Sequence, residues 1–385
     1  MSGLLIQGGT LVLPDRLVKG DLFIQKAKIA KMGSFPPPKG VQTIDAKGLY
    51  ISPGFIDTHV NGGGGRGFME NTEEAFEVAI HFHVQHGTTG LLPTAVAAPL
   101  EVMRAFLELV GEYRKRDRVV LGAHLNGPFV SPKRAGAIDP RYILSPSLNA
   151  FRELTGKFER VVKVVTLAPE VKGAREVVAA VLGIGAVPSL GHSDATYEEA
   201  LQALRWGLRH FTHIFNAMRE LGHHEPGPVG AALEEEDVTM ELIVDGVHVH
   251  PVLVRLLHKV KKGRGVCLVT DAISATGQPD GEYRLGDVRV IVREGIATTE
   301  VGALAGSTLT MNRAVKNFME FTGCSLPEAV RCATLNPARL LGIDDRKGSL
   351  EVGKDADLVI FDEDLTVHYT ILGGEVVYEA VTGDA

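Results

Sequence analysis

The chain has 385 residues, with 40 Lys+Arg against 47 Asp+Glu, a formal net charge of −7. At roughly 150 residues per domain, the length suggests two or three domains, or one large α/β barrel with an appendage. The acidic balance argues against a general nucleic-acid-binding surface, no apolar run is long enough to span a bilayer, no signal peptide is read at the start, and Cys267, Cys324 and Cys332 are too few and scattered for a disulfide framework or a zinc ribbon.

The first fifty residues read as short strands separated by turns. Leu4-Leu5-Ile6 leads to Gly8-Gly9, and Leu11-Val12-Leu13 to Pro14-Asp15; Asp21–Ile24 and Lys28–Ala30 follow. From residue 53 onward, apolar runs alternate with amphipathic segments, the pattern of a parallel α/β fold. Eight strands are expected at 53–59, 88–95, 119–125, 161–168, 185–191, 208–213, 240–244 and 265–271. Helices are expected at 72–86, 99–116, 171–182, 196–206 and 251–261. The fourth of these is well marked: Thr196 suits its N-cap, Glu198 and Glu199 its positive end, and Gly207 its stop. The last forty residues return to strands around Asp357–Phe361 and Val376–Tyr378, with a hairpin turn at Gly373-Gly374. The expected fold is therefore a (β/α)8 barrel over 53–344 with a small β-sandwich domain assembled from 1–52 and 345–385. An open doubly wound sheet is the alternative, but no GxGxxG follows an early strand.

Polar residues gather at the C-terminal ends of the expected strands, which in a barrel share one mouth. His59, Asn126, His192, His213, His248 and Asp271 all fall there. One histidine at a strand end is usually a packing or capping residue; several in succession point to chemistry. His192 and His213, on adjacent strands, are the best candidate metal ligands, since two neutral imidazoles can share a divalent ion. Asp271 is the candidate general base and acid. His81, His83 and His86 read as surface or packing residues of a helix, and His250 and His258 lack a strand-end context. No GxxxxGK[ST] loop and no GxSxG elbow is present.

These segments together resemble the amidohydrolase superfamily and, within it, the N-acetylglucosamine-6-phosphate deacetylases. The resemblance rests on Pro53–Asp57, Gly191-His192-Ser193-Asp194-Ala195, Thr212–Met218, Glu225-Pro226-Gly227, Asp245–His248, Val269–Ala272, Leu304–Met311 and Gly353–Leu358. It implies hydrolysis of the N-acetyl group of an amino-sugar 6-phosphate by one divalent metal ion, zinc first, with iron, manganese, cobalt or nickel as alternatives. It implies a cytoplasmic homodimer with no nucleic-acid or membrane partner. His192 and His213 match its metal-binding histidines and Asp271 its catalytic acid/base. Asn216 and Ala217 match a loop that holds the sugar phosphate; Ala137, His248, Leu304, Ala305 and Gly306 match other substrate contacts.

The chain departs from that pattern in four places. Asn126 stands where the family carries a metal-binding glutamate, and an amide oxygen is a neutral, weaker donor. His224 replaces an arginine that contacts phosphate and lacks its fixed fork. Ile138 stands where a polar residue is frequent. His59 and Asn61 replace an HxH pair, so one metal is expected, with His59 a candidate ligand for a second. These departures keep two alternatives open: a deacetylase of another N-acyl amino sugar, or a diverged sugar-phosphate-binding protein whose catalysis is impaired by Asn126.

Overall fold

The computed structural model describes residues 3–381, so positions 1–2 and 382–385 of the expected terminal domain lie outside the described residues. Five strands open the chain: β1 (Gly3–Val12), β2 (Leu17–Gln25), β3 (Lys28–Gly33), β4 (Gln42–Asp45) and β5 (Tyr50–Pro53). The expected turn at Gly8-Gly9 is instead a bulge inside one long strand. The pairing of β1 with β2 slips between Ile6 and Gly9. Gly8 sits at φ 78° and donates its N–H to Asp21 Oδ1 at 2.8 Å. A glycine takes that backbone at little cost, so the strand bends without ending.

The barrel begins with β6 (Phe55–Val60), followed by the two-residue ribbon β7 (Gly62–Gly63) and β8 (Arg66–Gly67). Strand and helix then alternate: α1 (Glu73–Gln85), β9 (Thr88–Val96), α2 (Leu100–Arg116), β10 (Ala123–Phe129), α3 (Leu148–Thr155), β11 (Val162–Leu167), α4 (Ala174–Gly183) and β12 (Val187–Leu190). The series continues with α5 (Tyr197–Arg205), β13 (His210–Phe211), α6 (Gly227–Glu234), β14 (Thr239–Ile243), α7 (Pro251–Lys261) and β15 (Val266–Val269). The strands lie in the order β6-β9-β10-β11-β12-β13-β14-β15, and each neighbouring pair is parallel. The ring closes between its last and first strands. The Asp271 N–H, just past β15, donates to the His59 carbonyl of β6 at 2.9 Å, and Thr270 Oγ1 donates to Asp57 Oδ2 at 2.5 Å.

All eight expected barrel strands are present, but the third is displaced. Val119 and Leu121 do bond to Leu91 of β9, yet Gly122 at φ 152° interrupts the run, and β10 starts beyond it. Helix α5 is capped as expected: Thr196 accepts from the Glu199 N–H, and Glu199 returns the bond to the Thr196 N–H. Such a cap stabilises a helix by about 1 kcal/mol.

Beyond the barrel strands comes an antiparallel sheet that the sequence reading did not anticipate: β16 (Gly281–Leu285), β17 (Val288–Arg293) and β18 (Ile296–Thr299). Helices α8 (Met311–Thr322), α9 (Leu326–Ala333) and α10 (Leu335–Leu340) follow, then β19 (Leu358–Phe361), β20 (Val367–Leu372) and β21 (Glu375–Glu379). These last strands join the first ones in the order β21-β20-β19-β5-β1-β2-β3, with β4 on β1. Both ends of the chain thus build the small domain around its own core of Leu4, Ile6, Leu22, Ile51, Leu358 and Ile360. The molecule is a (β/α)8 barrel with a β-rich appendage, as the sequence predicts.

Candidate active site

The C-terminal ends of the barrel strands surround a cavity of 290 Å³. His192 follows β12 and His213 follows β13, and the two imidazoles meet there with Nε2 atoms 3.1 Å apart. His192 Nδ1 lies 2.9 Å from the Arg134 carbonyl, which fixes the proton on Nδ1 and leaves the Nε2 lone pair pointing into the cavity. Burial holds His192 down at about 4. Burial, then the neighbouring His192 and His59, hold His213 well below the usual imidazole value. Both rings are therefore neutral near pH 7, the form that binds metals.

Asp271 follows β15 on the same cavity. Its Oδ1 accepts a 2.7 Å bond from the Asn61 amide and lies 3.4 Å from His59 Nε2. Burial raises its carboxyl above the ordinary range, against the opposing pull of His59, His248 and Asn61. The backbone here is under strain. His192, His213, Ala217 and Asp271 have φ of 47°, 29°, 49° and 49°, and Phe215 has 77°. Left-handed backbone costs a non-glycine residue about 1–3 kcal/mol and collects where surrounding structure imposes it for function.

Beneath the cavity lies a layer that is wholly buried. Glu241, on β14, accepts from Thr58 Oγ1 at 3.2 Å and from the His213 N–H at 3.3 Å, and it pairs with His59 Nδ1 at 2.8 Å. Burial alone would raise the Glu241 carboxyl, but His59 and His210 hold it well below its usual value. Burial opposes a charge on His59 too, yet Asp271, Glu241 and Asp57 lift it to about 9. His59 is thus held between carboxylates, with its Nε2 also 3.2 Å from Asn126 Nδ2.

Around the cavity, among the described residues, two groups of side chains could hold a metal ion; a third, His258, Cys324 and Glu328, is not among the residues that line it. His59, His124 and Glu241 place candidate ligand atoms within 4.8 Å of one another. Their atoms are already engaged, however: His124 Nδ1 meets the Thr58 carbonyl at 2.9 Å and its Nε2 meets Thr166 Oγ1 at 2.8 Å, while His59 is paired with Glu241. The second group, at the cavity, fits an ion better. His192 and His213 present facing Nε2 atoms, and Asn126 lines the same space with its Oδ1 buried and without a hydrogen-bond partner. Two neutral imidazoles with facing Nε2 atoms, and beside them the Asn126 amide with its Nδ2 3.2 Å from His59 Nε2, form a donor set that suits a cation.

Most of the other residues singled out in the sequence line this cavity: Ala137, Asn216, Ala217, His248, Leu304 and Gly306. Asn216 Nδ2 donates to the His213 and Ile214 carbonyls, and His248 Nδ1 contacts Asp245 Oδ2 at 2.6 Å. Ala305 lies instead in the apolar cluster behind the wall, because its N–H bonds to Ala297 of β18. His224 is not brought to the cavity. It is exposed on the turn closed by the Gly222–Glu225 backbone bond and stacks on His223 with ring centroids 4.0 Å apart. Ile138 lines the cavity and packs on Gly127, where a Cβ would lie 2.5 Å from its Cδ1.

Residues 50–377 match the amidohydrolase family. This chain belongs to that family. The amidohydrolase is 36% identical over 359 residues to N-acetylglucosamine-6-phosphate deacetylase of Lysinibacillus sphaericus, covering 92% of each chain. It is also 36% identical over 344 residues to N-acetylgalactosamine-6-phosphate deacetylase of Escherichia coli O157:H7, covering 89% of this chain and 90% of the other. Among solved structures it superposes on a mutant N-acetylglucosamine-6-phosphate deacetylase from Mycobacterium smegmatis, in complex with N-acetyl-D-glucosamine-6-phosphate. The TM-score is 0.92, with 35% identity, 98% of this chain and 100% of the other covered.

The sequence reading missed Glu241 and the task of Asn61 in this amidohydrolase. Glu241 had a visible signal, as the one acid in the apolar run Met240–Val244: a carboxylate in a core strand needs partners, and here it has three histidines around it. Asp57 was passed over as well. It is fully buried, and burial pushes its carboxyl up to about 7 despite bonds from Thr270 and the His59 N–H.

Proposed function

We propose that the chain hydrolyses N-acetylglucosamine 6-phosphate to glucosamine 6-phosphate and acetate with one divalent metal ion. The observation that carries this reading is the facing pair His192–His213 in one cavity with Asp271. His192 and His213 would hold the ion, with the Asn126 amide oxygen as a weak third donor; zinc is the first choice for such a nitrogen-rich set. Bound there, the ion would polarise the amide carbonyl and acidify a water.

Asp271 does the proton work. Its raised affinity for a proton suits a group that must take one and give it back near neutral pH. It takes a proton from the attacking water as the C–O bond forms. It then delivers that proton to the nitrogen as the C–N bond breaks, leaving acetate and a free amine. Asn61 and His59 hold the carboxylate through Oδ1, so its other oxygen remains available for the transfer. Ala137, Leu304 and Gly306 shape the wall against the sugar, His248 is a further substrate contact, and the loop at Asn216 and Ala217 holds the phosphate. His224 contributes nothing to this cavity within one chain.

A second reading is favoured by one finding: the relative named for the galactosamine epimer is as similar as those named for the glucosamine form. The test is acetate release by the purified, metal-supplied chain from N-acetylglucosamine 6-phosphate, N-acetylgalactosamine 6-phosphate and unphosphorylated N-acetylglucosamine. We expect the first to be turned over fastest and Asp271→Asn to abolish release. Turnover of neither phosphorylated sugar would end this proposal.

The assembly is proposed as a homodimer through α7. Val252, Leu253, Leu256 and Val260 expose 38–57% of their surface on that helix, an apolar stripe that a second copy would cover. No described helix is long and apolar enough to cross a membrane, and all three cysteines are free. The free thiols support a cytosolic setting.

A further inference from the structure

At the end of the barrel opposite the mouth, where β10 and β11 begin, a cleft of 510 Å³ separates the barrel from the β2–β3 hairpin of the small domain. Seven basic and three acidic side chains line it, in a chain whose overall balance is −7. The three carboxylates are all engaged. Asp355 accepts from Lys28 at 2.6 Å and from Arg346 at 3.3 Å. Asp357 accepts from Lys347 and from the Gly373 N–H. Asp117 Oδ1 accepts from the Val119 N–H at 2.8 Å. Among the described residues, Lys26, Arg114, Arg118 and Lys163 are left without an acidic partner.

Three of these four are held in place. Arg114 Nη1 donates to the Arg160 carbonyl at 2.9 Å. The Arg118 guanidinium lies against the turn between β20 and β21, where a Cβ on Gly373 would come within 2.2 Å of its Nη1. The stem of Lys163 lies on Gly122, where a Cβ would come within 2.3 Å of its Cγ. Two glycines therefore make room for two cations. Lys163 is held below the ordinary lysine value by burial, then by Arg114 and Arg346. Seven positive charges against three negative ones give the cleft a positive potential that attracts an anion.

We propose that this cleft binds a phosphate-type dianion, free or as a monoester, at a site separate from the catalytic mouth. Two guanidinium forks and two ammonium groups suit a tetrahedral oxyanion of charge −2. The volume admits a sugar monophosphate as well as the bare ion. Such a ligand ties the barrel, through Arg118 and Lys163, to the small domain, through Lys26, and stabilises the folded protein by linkage. The inference stands whether or not the deacetylase reading does.

The experiment is calorimetric titration of the full metal-loaded chain with inorganic phosphate at ionic strength held constant with sodium chloride. The expected result is saturable binding that persists in His248→Ala, at the mouth, and weakens at least about tenfold in the double variant Arg118→Gln/Lys163→Gln. Lys26→Asn, on an exposed turn, must also weaken it, which keeps the test open if the double variant fails to fold. Repeating the titration with glucose 6-phosphate separates the two sources: tighter binding than phosphate identifies an ester, and equal binding identifies the bare anion. Absence of saturable binding overturns the proposal. So does binding that His248→Ala removes while Lys26→Asn and the double variant leave it unchanged.

Discussion

The Asn61 side chain donates a 2.7 Å hydrogen bond to Asp271 Oδ1, joining the end of the first barrel strand to the end of the last. The amide fixes which oxygen of the carboxylate faces the cavity. Asn61→Ala is expected to lower kcat by about ten- to a hundredfold with little change in KM, because orientation of the acid/base is lost and sugar contacts are kept. Steady-state kinetics on N-acetylglucosamine 6-phosphate check this; an equal rise in KM would assign Asn61 to substrate binding instead.

Asn126 leaves its Oδ1 buried without a partner. Asn126→Glu supplies a charged oxygen at the same position. It is expected to tighten metal binding by about ten- to a hundredfold, the scale seen when the surroundings of a metal site change. Competition with a chromophoric chelator measures this without reference to turnover. Equal affinity in the two proteins would show that the amide was not limiting.

Glu241 pairs with His59 Nδ1 at 2.8 Å in a layer closed to water. Glu241→Gln keeps the shape and removes the charge, leaving Asp271 as the remaining carboxylate within 3.4 Å of His59. A loss of about 3–5 kcal/mol in unfolding free energy is expected, as for other buried pairs broken on one side. Urea denaturation of the metal-free protein reads it, and a change below 1 kcal/mol would be inconsistent with a charged pair.

His83 shows how the fold should respond to acid. It is fully buried on α1, with Nε2 at 2.9 Å from the Gly62 carbonyl, and burial lowers it from 6.5 to about 4. The unfolded chain therefore binds more protons between those values. The stabilising effect of a neutral His83 is complete above pH 6.5 and disappears as pH falls towards 4, a span of about 3 kcal/mol at most. His83→Gln, which can still donate to Gly62, should flatten the dependence of unfolding free energy on pH in that window. An unchanged slope would refute the assignment.

The α7 stripe gives a prediction about assembly. Leu256 is half exposed in the single chain. Leu256→Glu should shift the mass measured by light scattering from dimer to monomer. A wild-type protein that is already monomeric at high concentration would remove the dimer from consideration.

Barrel topology was legible because strand and helix segments alternate along the chain, and His192, His213 and Asp271 were legible because each ends an apolar run. What sequence order could not show was convergence from a distance. Glu241 looks like a misplaced acid until His59, from a strand 182 positions earlier, is seen beside it. His224 looked close to the phosphate because it precedes a matching Glu-Pro-Gly segment, but the turn that carries it projects into solvent. The β16–β18 sheet escaped notice because its strands mix exposed charges with few buried side chains, a weak alternation to read.

The seam between β6 and β15 carries a consequence for biosynthesis. Asn61 and His59 leave the ribosome some two hundred residues before Asp271, whose main-chain N–H bonds the His59 carbonyl. Strand β5, one residue upstream of the barrel, waits still longer, until Leu358 arrives to pair with Pro53. Contacts so remote in sequence form slowly. A nascent chain thus holds the imidazoles of the mouth before the carboxylate that works with them, and the mouth is complete only once the last barrel strand has closed on the first.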